Sequence, residues 1–335
     1  MNSRMTIMVL VGAVLAVAGC GSNEAETTGV KPITLNYANF PPASTFPCVQ
    51  MERWKVEVES RTGGQVKINT YPGGTLLGAK DIFDGVIAGT ADIGNFAMSY
   101  QPGRFPVSEA VDLPHFFPDA KTASLLLADL IKQFDPAEFK DVKVLTVFTC
   151  PPAVVMCSQP VPTLADLKNL PLRSSGTRAE VMKRLGAMPV AMPQSEVPDA
   201  LQKGLVKGNV SSGEVLKDMN YATYCPYVLK TDLCVTSFAV VMNKAAFAAL
   251  PDDVKQVFDS LYREQAEWTG AYVDQHVKDA LAWSKEQRNL TVYEPNAEDL
   301  QTLRATAEPL IKDYIERLSK KGMDGQAVID FIRKK

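Results

Sequence analysis

The sequence predicts an α/β protein built as two domains, and three observations carry that expectation. Short strands rich in β-branched residues alternate with stretches of helical spacing between residues 33 and 149, the strand–helix–strand rhythm of an α/β sheet. A second run with the same rhythm occupies residues 162–213. Residues 233–243 (LCVTSFAVVMN) then read as a strand long enough to pass from one domain to the other. The length, 335 residues, leaves room for two cores.

Residues 33–38 alternate and begin the body as a strand; residues 47–61 have helical spacing and stop at Gly63-Gly64. Residues 66–71 alternate again before the turn Pro72-Gly73-Gly74. A helix over 79–87, a short strand over 91–96 and an apolar helix over 122–134 follow. Residues 142–149 form a β-branched strand, and Pro151-Pro152 stops regular pairing after it. The longest helical stretch is 251–288, with Pro251 suited to its first turn and Asp252 and Asp253 beside its positive end. Trp268, Tyr272, Leu281 and Trp283 read as a core stripe of that helix. A short strand at 290–293 and helices over 299–320 and 326–333 complete the protein.

Composition is that of an ordinary globular protein: 46% hydrophobic, 22% charged, net charge −3. There is no basic run longer than 333–335, which argues against nucleic acid as a partner. The two histidines, His115 and His276, lie far from any cysteine pair and no C-x-x-C occurs, so neither a zinc site nor any other metal or cofactor is expected. Setting Cys20 aside leaves five cysteines, an odd number, of which Cys150 with Cys157 and Cys225 with Cys234 are local disulfide candidates.

The N-terminus has one positive side chain, Arg4, then an unbroken apolar run over 7–17, then Ala18-Gly19-Cys20. This reads as a secretory signal over residues 1–19, too short to span a bilayer. Cysteine directly after small residues resembles a bacterial lipobox, which implies cleavage before Cys20 and lipid on its sulfur. Residues 21–31 are small and polar, as a flexible tether would be. The expectation is a periplasmic, membrane-anchored lipoprotein with a soluble body.

The most informative stretch is 162–213. A short apolar strand over 170–172 ends on Arg173, followed by Ser174, Ser175 and Gly176. A guanidinium where a strand meets a helix start, among small residues, is placed to hold a carboxylate with two parallel N–H donors.

The same stretch resembles the signature region of the solute-binding proteins of TRAP transporters, the DctP-like dicarboxylate-binding type. The resemblance rests on Arg173, Leu185-Gly186-Ala187, Pro189-Val190, Met192-Pro193, Ser195-Glu196-Val197, Ala200-Leu201-Gln202 and Gly208. Upstream it includes Tyr71-Pro72-Gly73-Gly74, Gly89-Thr90-Ala91-Asp92-Ile93-Gly94 and Tyr100-Gln101-Pro102-Gly103-Arg104-Phe105-Pro106. It implies a periplasmic-binding-protein-like fold: two α/β domains, a ligand cleft, crossing strands and a long bracing helix. The expected division is 32–149 plus about 240–278 for one domain and 150–239 plus about 279–335 for the other. It also implies capture of a small organic acid by cleft closure, delivery to an ion-driven permease of large and small subunits, and no enzymatic activity. Arg173 would form the salt bridge to the ligand carboxylate, and Phe40, Tyr100 and Phe238 fall where family members place ligand-facing groups.

Three departures from the family spelling bear on the ligand. The asparagine that usually touches the ligand carboxylate becomes Ser211, a phenylalanine becomes Gln194, and the stretch CPPAVVMC lacks an arginine that some members carry near residue 153. Arg104 and Arg178 are the remaining cations in reach and read as solvated surface residues. Glu214 either favours a helix N-terminus or meets an ammonium on the ligand. The expected ligand is therefore a small carboxylate with one main anionic end, aromatic or amino-bearing. The alternatives are a C4-dicarboxylate binder and a sensor ectodomain of the same fold. A hydrolase is disfavoured by the absence of a G-x-S-x-G elbow.

Overall fold

The computed structural model describes residues 32–334; the leader of residues 1–19, the lipidation candidate Cys20 and the tether up to residue 31 lie outside the described residues. Two sheets organise the body. The first part of the sequence runs β1 (Ile33–Asn39), α1 (Phe46–Arg61), β2 (Val66–Tyr71), α2 (Ile82–Ile87), β3 (Ile93–Ala97), α3 (Ala120–Phe134) and β4 (Val142–Thr149). The middle part runs β5 (Val154–Cys157), β6 (Pro171–Arg173), α4 (Thr177–Arg184), β7 (Met188–Val190), α5 (Val197–Gln202), β8 (Gly208–Ser211), α6 (Val215–Asp218) and β9 (Tyr227–Leu229). The rest comprises β10 (Ser237–Asn243), α7 (Lys244–Ala248), α8 (Asp252–Arg288), β11 (Thr291–Tyr293), α9 (Ala297–Ser319) and α10 (Gly325–Arg333).

The first sheet has the order β2-β1-β3-β10-β4 and the second β11-β9-β5-β8-β6-β7. In the first, β1 pairs parallel with β2 and β3, whereas β10 lies antiparallel between β3 and β4. Strands β3 and β10 are buried along almost their whole length, which is why they read as continuous apolar runs rather than alternating ones. In the second, β6 is parallel to β7 and β8, and β5 is antiparallel to β8 and β9. Both sheets turn strand ends toward one region: β1 runs out into Phe40, β6 ends on Arg173, β8 ends on Ser211, and antiparallel β10 begins beside Phe238. A ligand crevice outside the carboxyl ends of parallel strands is the general consequence of this arrangement.

Two non-helical backbone passages connect the sheets, 150–153 from β4 to β5 and 230–236 from β9 to β10, and α7 with α8 makes a third crossing from β10 to β11. The regular strand expected over 233–243 begins only at Ser237. Pro151 and Pro152 have no N–H, so the ladder opposite them breaks. Isolated bonds persist, from Cys150 N to Thr236 O (3.0 Å) and from Ala153 N to Cys234 O (2.9 Å). Helix α8, 37 residues long, spans roughly 55 Å at 1.5 Å per residue and packs on α1, α3 and β4 as well as α6. Its Asp274 accepts from Ala120 N (2.8 Å) and Lys121 N (3.0 Å). Together with Asp119, which accepts from Thr122 N, this cap starts α3 two residues earlier than the sequence pattern suggests.

Two further expectations are corrected. Trp268, Tyr272, Leu281 and Trp283 are all half-buried; Tyr272 and Leu281 pack against the edge of the core, whereas Trp268 and Trp283 lie outside it. The Arg53 guanidinium covers Trp268 at 4.7 Å, Trp268 stacks on Tyr272 at 5.1 Å, and Lys217 and Arg288 flank Trp283. Residues such as Val254, Phe258, Leu261 and Val273 supply the buried stripe instead. The five described cysteines are all buried and free. Cys150 and Cys157 stand at opposite ends of an extended stretch, roughly 20 Å at strand rise and far beyond disulfide reach. Strand β9 likewise separates Cys225 from Cys234.

Gly208 shows how tightly the second sheet is built. A β-carbon there would strike the Met156 carbonyl, with Leu172 Cδ2 at 2.8 Å and Cys157 Sγ at 2.9 Å. Gly208→Ala should therefore destabilise the fold by about 3 kcal/mol through overpacking between three strands. Urea unfolding measures this, and a loss below about 1 kcal/mol would contradict the packing described.

Candidate functional site

Arg173 closes β6 and is 1% exposed. Its side chain is held entirely by neutral acceptors. Nε and Nη2 donate to the Met192 carbonyl at 3.0 and 2.7 Å. Nη1 donates to Asn209 Oδ1 at 3.4 Å, and Nη2 also approaches the Tyr100 hydroxyl at 3.3 Å. Among the described residues no carboxylate pairs with it. Burial, reinforced by Arg178, pulls its pKa below the usual arginine value. A guanidinium oriented on several sides and left without a counter-charge is an arrangement that could hold a carboxylate.

The loop after Arg173 is shaped by Gly176, which adopts φ 59° and ψ −146°, close to a backbone region essentially reserved for glycine. A β-carbon on it would lie 2.7 Å from Ser99 Cβ. This close approach brings the start of α4 against the segment carrying Tyr100. The Tyr100 hydroxyl in turn accepts from Gln194 N at 3.0 Å, while the Tyr221 hydroxyl donates to Gln194 O at 2.9 Å. Residues attached to the two sheets thus meet around a cavity of about 60 Å³, several times the ~10–15 Å³ that one water requires.

All seven residues singled out as ligand-facing, Phe40, Tyr100, Arg173, Gln194, Ser211, Glu214 and Phe238, line this cavity. The aromatic wall is continuous: Phe40 meets Tyr100 edge-on at 5.5 Å and lies parallel to Phe238 at 6.4 Å, and Phe238 stacks on Phe148 at 5.3 Å. Phe46 adds an edge contact to Phe238 at 5.9 Å. Phe46 and Thr45 do not stand out in the sequence; the available signal is the proline-flanked turn that carries them next to Phe40. On the polar side, Gln194 Nε2 reaches Ser211 Oγ at 3.4 Å, and Gln194 Oε1 has no partner.

Three ionisable groups depart from expectation. Arg178 is not a solvated surface residue: it is 6% exposed, lines the cavity, and leaves Nε and Nη1 without a partner. Its position in the first turn of α4 faces inward, which surface statistics for arginine cannot anticipate. A readable signal exists, since a cation in a helical first turn opposes the helix dipole. Arg104 is half-buried rather than free in solvent: it lies over the Phe83 ring at 4.3 Å and forms a two-pronged pair with Asp84 at 2.7 and 3.0 Å. Glu214, 2% exposed, makes no capping bond. Its Oε1 accepts from Ser212 Oγ at 2.6 Å and its Oε2 has no partner. Burial pushes its carboxyl up to about 7, and does the same for Asp112, which accepts from Ser237 Oγ at 2.6 Å. Behind Glu214, the cavity-lining Asp218 is paired with His276 of α8 at 2.9 Å.

Comparison with known proteins gives the family and the fold. The family model described as bacterial extracellular solute-binding protein, family 7 (DctP) matches residues 37–317. The 2,3-diketo-L-gulonate-binding periplasmic protein YiaO of Escherichia coli (strain K12) is 26% identical over 257 residues, 75% of this protein and 77% of its own length. A TRAP periplasmic solute binding protein from Desulfovibrio salexigens DSM2638 is 50% identical, with TM-score 0.81 over 90% of this protein and 95% of its own length. It was solved as an open complex with the C-terminus of a symmetry mate in the ligand binding site. A marine metagenome TRAP solute binding protein specific for aromatic acid ligands, in complex with 3-hydroxybenzoate, is 27% identical, with TM-score 0.85 over 90% of this protein and 96% of its own length.

The raised carboxyl groups have a consequence for stability. Glu214 and Asp112 hold their protons in the folded state up to about pH 7 and release them near 4.5 and 3.8 when unfolded. Their contribution is complete below those lower values and is lost as pH rises toward about 7, at about 1.4 kcal/mol per pH unit for each fully retained proton. The ligand-free protein should therefore melt at a higher temperature at pH 5 than at pH 8. His276, whose pKa Asp218 raises, acts in the same sense above its ordinary value, so Glu214→Gln is the discriminating variant. It should flatten the slope of melting temperature between pH 5 and 7, and an unchanged slope would exclude Glu214 as a source.

Proposed function

The chain belongs to the bacterial extracellular solute-binding protein family 7, and we propose that it captures a small organic carboxylate outside the cytoplasm and delivers it to an ion-driven TRAP membrane permease. The observation that carries this reading is the buried Arg173 guanidinium, oriented by Met192 O, Asn209 and Tyr100 yet facing no acid. A ligand carboxylate supplies the missing charge and accepts from the guanidinium in a low-dielectric cavity, where such bonds are strongest. Anion binding and closure then become one coupled event, because the closed form without an anion carries the cost of an uncompensated buried cation.

The wall of Phe40, Phe46, Tyr100 and Phe238 favours an apolar or aromatic remainder on the ligand. A related protein named for aromatic acid ligands is compatible with that class. The C-terminus seated in the Desulfovibrio salexigens protein is itself a carboxylate. The two closing bodies follow the two sheets, so the boundary expected near residue 240 moves to the start of β10 at Ser237, whose Phe238 pairs with Ala97 and Phe148 of the first sheet. The hinge runs through the two non-helical passages between the sheets, and α8 braces both bodies. The family consists of solute receptors, and this component performs no chemistry on its ligand. The protein is held at the membrane by lipid on Cys20 after removal of residues 1–19. Among the described residues no helix is long and apolar enough to cross a membrane.

Calorimetric titration with benzoate, phenylacetate, 3-hydroxybenzoate and mandelate tests the anchor. Arg173→Met should weaken whichever acid binds by about a hundredfold or more. Arg173→Lys should also bind at least about tenfold more weakly, since an ammonium lacks the planar fork. Near-native affinity in the lysine variant would refute Arg173 as the carboxylate anchor.

A further inference from the structure

Resting on the carboxylate reading above, we propose that Arg178 and Glu214 form a second polar pole of the same cavity, selecting acids that carry a neutral group able both to accept and to donate a hydrogen bond, such as a hydroxyl or an amide. Both side chains are more than nine-tenths buried and both line the cavity that Arg173 lines. Arg178 offers two N–H groups, Nε and Nη1, that meet nothing, and Glu214 offers an oxygen, Oε2, that meets nothing. Each unmade buried hydrogen bond is costly, and the two residues that carry them line one cavity. A structural arginine in this protein looks different: Arg104 spends its fork on Asp84. Neither Arg178 nor Glu214 forms an ion pair with any described residue. The carboxylate nearest in influence to Arg178 is Asp112, already engaged by Ser237.

The chemistry of the group follows from its two neighbours. A ligand ammonium would suit Glu214 but would be brought beside Arg178. A second carboxylate would suit Arg178 but, above about pH 7 where Glu214 is ionised, would be brought beside its charge. A hydroxyl or amide takes the guanidinium N–H on its oxygen and gives its own hydrogen to the free carboxyl oxygen. Such a site rejects the analogue lacking the group, because Arg178 and Glu214 then stay buried and unpaired.

Calorimetric titration of the full-length protein with matched acids tests this: phenylacetate against mandelate, benzoate against 3-hydroxybenzoate, and cyclopentanecarboxylate against pyroglutamate. Phenylglycine and phenylmalonate serve as the ammonium and dicarboxylate counterparts of mandelate. In the pair that binds most tightly, the member with the neutral group should bind at least about tenfold more tightly than its parent and than any charged counterpart. Arg178→Met and Glu214→Leu should each shrink that ratio below about threefold. Equal affinity within every pair, or preference for phenylglycine or phenylmalonate, overturns the second pole while leaving the Arg173 anchor standing. A loss in Arg178→Met that falls equally on parent and substituted acid also overturns it, assigning Arg178 to the carboxylate clamp. If no acid binds at all, the carboxylate reading falls and the second pole with it. The wild-type ratios decide the matter even where a variant fails to fold.

Discussion

One buried, uncompensated positive charge organises this molecule. The Arg173 guanidinium sits where both sheets contribute side chains, with Tyr100 arriving from the first sheet and Met192 and Asn209 from the second. Removing a charge from water costs several kcal/mol even after relaxation, and neutral acceptors return only part of it. The closed arrangement is consequently incomplete on electrostatic grounds alone. The features around Arg173 serve its placement: the short strand β6 that ends on it, Gly176 that lets the next loop approach Ser99, and Gly208 that lets β8 lie close enough for Asn209 to touch it.

The cavity divides its chemistry between the two sheets. Elements belonging to the first supply the aromatic surface, Phe40, Phe46, Tyr100 and Phe238, and elements belonging to the second supply Arg173, Arg178, Gln194, Ser211 and Glu214. Bringing an apolar half onto a polar half excludes water from the polar groups at the moment they are needed. Electrostatic attraction to a bound acid is then far larger than it would be on an open polar surface.

Much of the arrangement is legible in the sequence. Strand periodicity places β1, β2 and β4 to within a residue, and the cluster Arg173-Ser174-Ser175-Gly176 marks a strand end poised for an anion. What escapes depends on partners distant in sequence. Helix α3 starts early because Asp274, 154 residues away, caps it. Trp268 looks like a core residue until Arg53 is seen lying across its outer face. The cysteines suggest local pairs by their spacing, but spacing along an extended backbone measures separation, not proximity. Arg178 escapes because arginine is an outside residue on average, and an average says nothing about a first turn that points into a cleft.

Local rules of helix construction supply an independent pointer to the site. Helices α3, α7, α9 and α10, away from the cavity, start on hydrogen bonds accepted by the side chains of Asp119, Asn243, Asn296 and Asp324. Helices α4 and α6, whose first residues line the cavity, have no such bond. A missing cap is not peculiar to them, since α1, α2, α5 and α8 also lack one. What sets the two apart is the group that stands there. At α4 a buried cation takes the second helical position, against the dipole, and at α6 a buried carboxyl occupies the capping position without capping. Both groups keep hydrogen-bonding capacity that the fold leaves unused. Two helix starts that face one cavity each hold a buried ionisable group against local preference, the kind of local conflict that the second pole proposed above turns to use.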